Sequence, residues 1–404
     1  MTEVTVGRRE RKKARTRQAI ADAALELFLE RGFEQVTVKD VAEAADVSMS
    51  GLFKHFPTKE SLVFDEDDDV RDGLVSAVRD RPEGTPVLEA LHEWLLNRAR
   101  NRAGDPRIEA FVGLIAATPA LGDYSRRMWQ RYEEDLAEAI RQAGPDAPGA
   151  AIAARAVSRF ALDRAELSHG DPRAELDAAF ALLSRGWPAP ELHRPPSGPP
   201  AEEPPAPARP PGLRERKKAQ TRESITRAAQ ELFTQRGYDD VGVREIADTA
   251  GVSPGTLFTY FPDGKASLVF PGDQTDNAEA LVAAVRHRAP EQSIPRALHD
   301  YMAGRGPFRP RTTAAEQRVL DLIRTTPELS DYALRAWTVA QPALTQAITE
   351  EAGLPADDIT ARLLSHSMLQ IPDLSRATTD ARQALDVITD LLEHGWPESL
   401  ARTS

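Results

Sequence analysis

The chain has 404 residues, a formal net charge of −12, 41% hydrophobic residues, 31 prolines and no cysteine. At roughly 100–200 residues per domain, that length calls for two to four domains. The lack of cysteine excludes disulfides, thiolate zinc sites, cysteine nucleophiles and thiol redox sensing. No run approaches the ~18–20 uncharged apolar residues of a membrane span. Met1 to Arg17 is charged and lacks the apolar segment of a secretory signal, so a soluble cytoplasmic protein is expected.

Net acidity argues against nucleic acid as a partner only if charge is spread evenly, because salt screens it within ~10 Å. Here it is not. Arg8, Arg9, Arg11, Lys12, Lys13, Arg15 and Arg17 are opposed only by Glu10, whereas acid collects in runs such as Asp65 to Asp69. After this basic island, Ile20, Ala24, Leu27 and Phe28 follow a 3.6-residue period that stops at Gly32. Thr37 stands where an N-cap belongs, with Asp40 three residues on, ahead of Val38, Val41, Ala42 and Ala45. A short turn at Asp46 and Val47 leads to Ser48, the expected cap of a third helix that runs to Phe56 and is closed by Pro57.

Further helical periods follow. Val70, Leu74 and Val78 form one, Val87, Leu91, Trp94 and Leu95 another, and Ile108, Phe111, Val112 and Ile115 a third. Met128, Trp129, Tyr132, Leu136 and Ile140 come after Pro119; Ile152, Val157, Phe160 and Leu167, then Leu176, Phe180 and Leu183, complete the series. No alternating strand pattern occurs, so the expected fold is all-α with about nine helices in this stretch.

From Pro188 to Pro211, 11 of 24 residues are proline. Such a segment favours an extended polyproline-type chain and reads as a tether or a fusion join. The pattern then starts again. Arg9 to Pro57 and Arg214 to Pro262 align at an offset of 205 with about half the positions identical. A second basic island, Arg214, Arg216, Lys217, Lys218 and Arg222, faces only Glu215. Echoes continue downstream: Ala90 to His92 against Ala297 to His299, Trp129 against Trp337, and Gly186, Trp187 and Pro188 against Gly395, Trp396 and Pro397. The chain is a tandem duplication. The expected boundaries are a head at 1–62, a helical body at 63–187, a linker at 188–211, a second head at 212–268 and a second body at 269–404.

A three-helix head whose last two helices flank a tight turn is a helix-turn-helix, whose final helix would enter the DNA major groove. The head resembles the TetR family of transcription regulators. The residues that carry the resemblance are the Arg-rich start, Ala23 to Phe28, Arg31 to Phe33, Val41 and Ala42, Val47 and Ser48, Leu52 and Phe53, Phe56 and Pro57, and Lys59, with their counterparts from Ala228 to Lys265.

The resemblance implies a DNA-facing set in each copy. In the first copy Ser48, Met49, Ser50, Gly51, Lys54 and His55 would lie at the groove; in the second, Ser253, Pro254, Gly255, Thr256, Thr259 and Tyr260. Thr37, Lys39 and Lys59, with Arg244 and Lys265, would hold phosphates near helix N-termini. The basic islands (Arg8, Arg9, Arg11, Lys12, Lys13 and Arg17; Arg214, Arg216, Lys217, Lys218 and Arg222) would neutralise phosphates or enter the minor groove. Leu52, Phe53, Leu257 and Phe258 are expected in the core. Gly242 replaces Thr37, so the second copy lacks that capping hydroxyl.

The bodies would bind a small-molecule effector and pair through their last helices. Their pattern resembles the subgroup of mycofactocin regulators and acyl-CoA-responsive relatives, which implies an acyl-CoA-like effector near Trp94, Phe111, Trp129, Phe160, Trp337 and Met368. Pro372 is expected to interrupt the last helices of the second copy. The resulting reading is a nucleoid-associated, ligand-responsive repressor, a pseudo-dimer within one chain on an imperfect palindrome of double-stranded operator DNA. A homodimer with four heads, or a non-specific architectural DNA binder, is the alternative. Catalysis is not expected. The eight histidines form no HExxH spacing, and His92 and His299 read as helix histidines with ordinary partners. Asp65 to Asp69 lacks calcium-loop spacing, so no metal or other cofactor is expected.

Overall fold

The computed structural model describes residues 8–64, 67–102, 106–144, 149–166, 172–187, 213–270, 274–309, 313–378 and 380–396; all their regular structure is helical. The proline-rich linker lies outside the described residues. The chain divides into two compact units, Met1–Asp177 and Ala178–Glu398.

The first unit opens with α1 (Arg8–Arg31), α2 (Val38–Ala44) and α3 (Met49–His55). Ile20, Ala24 and Phe28 of α1 are buried, as their spacing requires, and so are Val41, Leu52 and Phe56. Thr37 and Asp40 cap α2 reciprocally: each side chain bonds the other residue's backbone N–H. The body consists of α4 (Asp67–Arg79), α5 (Val87–Arg102), α6 (Pro106–Ala117), α7 (Pro119–Ala143) and α8 (Ala150–Glu166), followed by the start of α9 (Pro172–Arg185). α4 packs on α5 and α7, and α7 packs along α8.

The second unit takes in the end of α9, then a head of α10 (Leu213–Arg236), α11 (Val243–Ala250) and α12 (Pro254–Tyr260). Its body holds α13 (Gln274–Arg286), α14 (Ile294–Ala303), α15 (Ala314–Thr325), α16 (Pro327–Thr338), α17 (Gln341–Ala352), α18 (Ile359–Leu374) and α19 (Ala381–His394). The core of the head does not stop at its own helices. Ile225, Phe233, Ile246, Leu257 and Phe261 share one buried cluster with Val269 and with Leu329 of α16. Head and body therefore fold on a common core within this unit.

Two features depart from the sequence reading. Where the first copy has the continuous 25-residue α7, the second divides into α16 and α17 at Val339 and Ala340. Pro342 sits at the second position of α17; it has no N–H for the preceding turn, and its ring crowds that turn, so a through-going helix is blocked there. Pro372, by contrast, does not interrupt α18, which continues to Leu374. Met368, Leu369, Ile371 and Leu374 are all buried around it, and that packing outweighs one lost backbone bond near a helix end.

Candidate nucleic-acid interface

Each head presents its third helix in the same way. The Ser48 hydroxyl accepts the N–H of Gly51 at 3.1 Å, and the Ser253 hydroxyl accepts the N–H of Thr256 at 3.0 Å. The preceding turn passes through a left-handed residue, Asp46 with φ 51° in one head and Gly251 with φ 69° in the other. Leu52 and Phe56, four residues apart, bury one face of α3; Leu257 and Phe261 do the same for α12. The opposite face is open: Met49, Ser50 and Lys54 are exposed, as are Pro254, Gly255 and Thr259, while Gly51, His55, Thr256 and Tyr260 are half-buried.

The expectation that Phe53 and Phe258 belong to the core is wrong. They are 47% and 49% exposed. One residue past the buried leucine, each is turned about 100° from the core-facing stripe of a seven-residue helix, and no neighbouring element covers it. Sequence reasoning missed these two groups because it treated size as burial, although the helical period was enough to place them outside.

The polar candidates fall into two classes. Lys12, Lys13, Lys217 and Lys218 are exposed on the second turns of α1 and α10, as are Lys39 on the first turn of α2 and Arg244 on that of α11. Lys39 has Glu43 3.6 Å away, one turn on. Arg8, Arg9, Arg11, Arg214 and Arg216 belong to the same helical segments, but their side chains lie outside those described. The remaining candidates are engaged inside the heads. Thr37 donates its hydroxyl to Asp40 at 2.6 Å, and the two bonds from Thr37 hold the Asp40 carboxyl below its ordinary range. Lys59 donates to the Phe33 carbonyl at 2.6 Å with its ammonium 4.2 Å from the Phe33 ring; Lys265 repeats this on Tyr238 with the same two distances. Arg17 and Arg222 are half-buried and bonded to the ends of α3 and α12. The Thr259 hydroxyl bonds back to the Gly255 carbonyl at 2.9 Å. Gly242 caps α11 without a side-chain bond, as its lack of a hydroxyl requires.

Of the six residues named for an effector, four belong to the first copy and two to the second. Phe111 sits edge-on to Phe64, which itself stacks on Tyr124 at the joint between head and body. The Trp94 indole covers Gly73 of α4 so closely that a Cβ there would collide with it. Phe160 and Met368 are buried, Trp337 is half-buried, and the side chain of Trp129 lies outside those described.

Buried charge occupies the bodies instead. Glu133 of α7 is held by Arg155 and Arg159 of α8, and Arg288 by Glu351 at 2.9 Å. His92 lies 2.9 Å from Asp177, and His299 lies 2.7 Å from Asp386 and 2.9 Å from Asp300, so the recurring histidines join α5 to α9 and α14 to α19. Asp390, Glu393 and His394 come close enough to share an ion, but Arg296 already holds both carboxylates, at 2.6 and 2.7 Å.

The ends of α9 and α19 meet inside the second unit. Trp187 donates its backbone N–H to Leu392 at 2.7 Å, and Trp396 donates to Leu183 at 2.6 Å. Gly186 and Gly395 have φ 76° and 82°, and a Cβ on either would strike the opposing backbone, at Glu393 and Ser184 respectively. The repeated Gly-Trp-Pro was visible in the sequence, but its pairing was not.

The profile described as bacterial regulatory proteins, tetR family, matches residues 20–65 and again 225–270. The chain is 33% identical over 130 residues to the HTH-type transcriptional regulator TcmR of Streptomyces glaucescens, covering 30% of this chain and 57% of that protein. It is 24% identical over 156 residues to the "Putative mycofactocin biosynthesis transcriptional regulator MftR" of Mycobacterium tuberculosis, covering 39% and 78%. RutR of Escherichia coli is 31% identical over 121 residues, covering 30% and 57%, so the matches span just over half of TcmR and RutR. Among solved structures, NalD of Pseudomonas aeruginosa, the secondary repressor of an efflux pump, aligns at 22% identity over 42% of this chain and 93% of its own, with a TM-score of 0.31. With both heads matched, each by its own helix-turn-helix, the chain carries the DNA-binding segment of the tetR family of bacterial regulatory proteins twice.

Proposed function

We propose that the chain is a sequence-specific regulator of transcription that binds double-stranded DNA through α3 and α12, represses by occupying an operator, and is released by a small-molecule effector bound in its helical bodies. A single chain serves as a pseudo-dimer. The observation that supports this is the reciprocal pair Trp187 to Leu392 and Trp396 to Leu183, in which the residue just past the last helix of each copy donates to the last helix of the other. That is the self-complementary relation a two-fold axis imposes on a homodimer interface. Joining the copies covalently raises the effective concentration of one for the other and permits their heads to differ. They do differ: Met49, Ser50 and Lys54 are exposed in one recognition helix where Pro254, Gly255 and Thr259 are exposed in the other. Groove-facing side chains set base preference, so the operator has two unlike half-sites.

The test is the mass of the complex between the full chain and a duplex selected from a random-sequence pool, measured by light scattering on a sizing column. One chain per duplex is expected. Two chains per duplex would mean pairing between chains and four heads. Binding to all duplexes alike, with a steep salt dependence, would make the protein an architectural binder instead.

A further inference from the structure

Arg17 and Arg222 belong to the basic islands, yet both turn inward. Arg17 Nη1 donates to the His55 carbonyl at 2.8 Å, and its guanidinium carbon lies 4.4 Å from the centre of the Phe56 ring. Arg222 Nη1 donates to the Tyr260 carbonyl at 2.9 Å, 4.5 Å from the Phe261 ring. The offset of 205 carries each arginine, carbonyl and ring of the first head onto its counterpart in the second.

His55 and Tyr260 are the last residues of α3 and α12. The final carbonyls of a helix have no partner within it and carry the negative end of its dipole. A helix of seven residues has little stability of its own, so what fixes its ends fixes its direction. Ser48 and Ser253 hold the N-terminal ends; an arginine from the first helix of the same head holds each C-terminal end, its plane set by a buried phenylalanine.

We propose that Arg17 and Arg222 are positioning residues that aim the two recognition helices, rather than ligands of DNA phosphate. The inference rests on the proposed reading of DNA by α3 and α12, and it makes a prediction the phosphate role does not. A lost phosphate contact weakens binding to all sequences alike and flattens the dependence of log K on log salt by about 0.9 per contact. A lost clamp leaves that slope alone and blurs the base preference under one helix only.

The test uses the full chain with Arg17→Ala, and separately Arg222→Ala, in selection from a random-sequence duplex pool, followed by salt titration on the wild-type consensus. Expected is an unchanged salt slope, with discrimination falling about ten-fold in one half-site for Arg17→Ala and in the other for Arg222→Ala, as loss of a charge-assisted bond implies. A slope shallower by about 0.9 with both half-sites intact would make the arginine a phosphate ligand and overturn the proposal. No change in slope or preference would overturn it equally. If circular dichroism shows that alanine unfolds a head, Arg17→Lys decides. The clamp predicts the same one-sided loss, since an ammonium lacks the planar face and fork, whereas a phosphate role predicts near wild-type binding. If the wild type enriches no sequence, the DNA reading itself fails and the proposal falls with it.

Discussion

Trp187 gives its backbone N–H to the Leu392 carbonyl, 2.7 Å away, in the second unit, across 205 residues of sequence. Gly186 and Gly395 let the two backbones approach this closely, each in a left-handed conformation with no room for a Cβ. Gly186→Ala or Gly395→Ala combines positive-φ strain with a backbone collision and is expected to cost well over about 1 kcal/mol. Thermal unfolding should show the second unit melting earlier in either variant. An unchanged melting profile would mean that the crossing of α9 and α19 is not a stabilising contact.

The capping box of α2 gives a prediction in pH. Hydrogen bonds from Thr37 hold the Asp40 carboxyl below its ordinary range. A carboxylate with a lowered folded-state pKa contributes stability that is present above its unfolded value and is lost as pH falls through the folded one. Thr37→Ala removes the side-chain bond, which is the larger cause. The Asp40 pKa should therefore rise towards 3.8 in a carbon-detected NMR titration, and the head should lose about 1 kcal/mol at neutral pH. The second head, capped by Gly242, is the internal control.

Arg288 and Glu351 form an ion pair with only 2% and 3% of their side chains exposed, joining the segment after α13 to α17. Glu351→Leu leaves a buried guanidinium without its partner and should destabilise the second unit by about 3–5 kcal/mol. Arg288→Met with Glu351→Leu should recover most of that loss, because two apolar side chains need no compensation. Chemical denaturation of the three proteins checks this; a double variant no better than the single one would refute it.

Lys59 binds the Phe33 carbonyl and rests on the Phe33 ring. Lys59→Met keeps the stem and removes the charge, and it should lower the stability of the first head by about 1–2 kcal/mol even without DNA. Hydrogen exchange confined to α1–α3 would register the change. Unaltered protection there would return Lys59 to the role of a phosphate ligand alone.

Within the proposed reading, Lys54→Ala with His55→Ala should relax base preference in one half-site only. Each bidentate base contact is worth about 1–3 kcal/mol of discrimination. Equal loss in both half-sites would contradict the assignment of unlike heads to unlike halves.

Local rules made much of this protein legible in its sequence. Helix periods, caps at Thr37, Ser48 and Ser253, and the turn before α3 are set by residues within four positions of each other. They therefore appear in the sequence as spacing, and the duplication displays them twice. The same locality explains the failure at Phe53: the period that buries Leu52 and Phe56 puts Phe53 outside, and its hydrophobicity does not change that. Tertiary structure decided which charges are used at home. Arg17, Arg222, Lys59 and Lys265 look like free basic residues in the sequence, but carbonyls 26 to 38 residues away claim them. It also decided where the second body breaks. Pro342 and Pro372 are the same residue type in helical segments, yet only one separates two helices; the other is carried by the buried side chains around it. Spacing along the chain encodes what near neighbours do; partners brought from a distance depend on packing, which has no local signature.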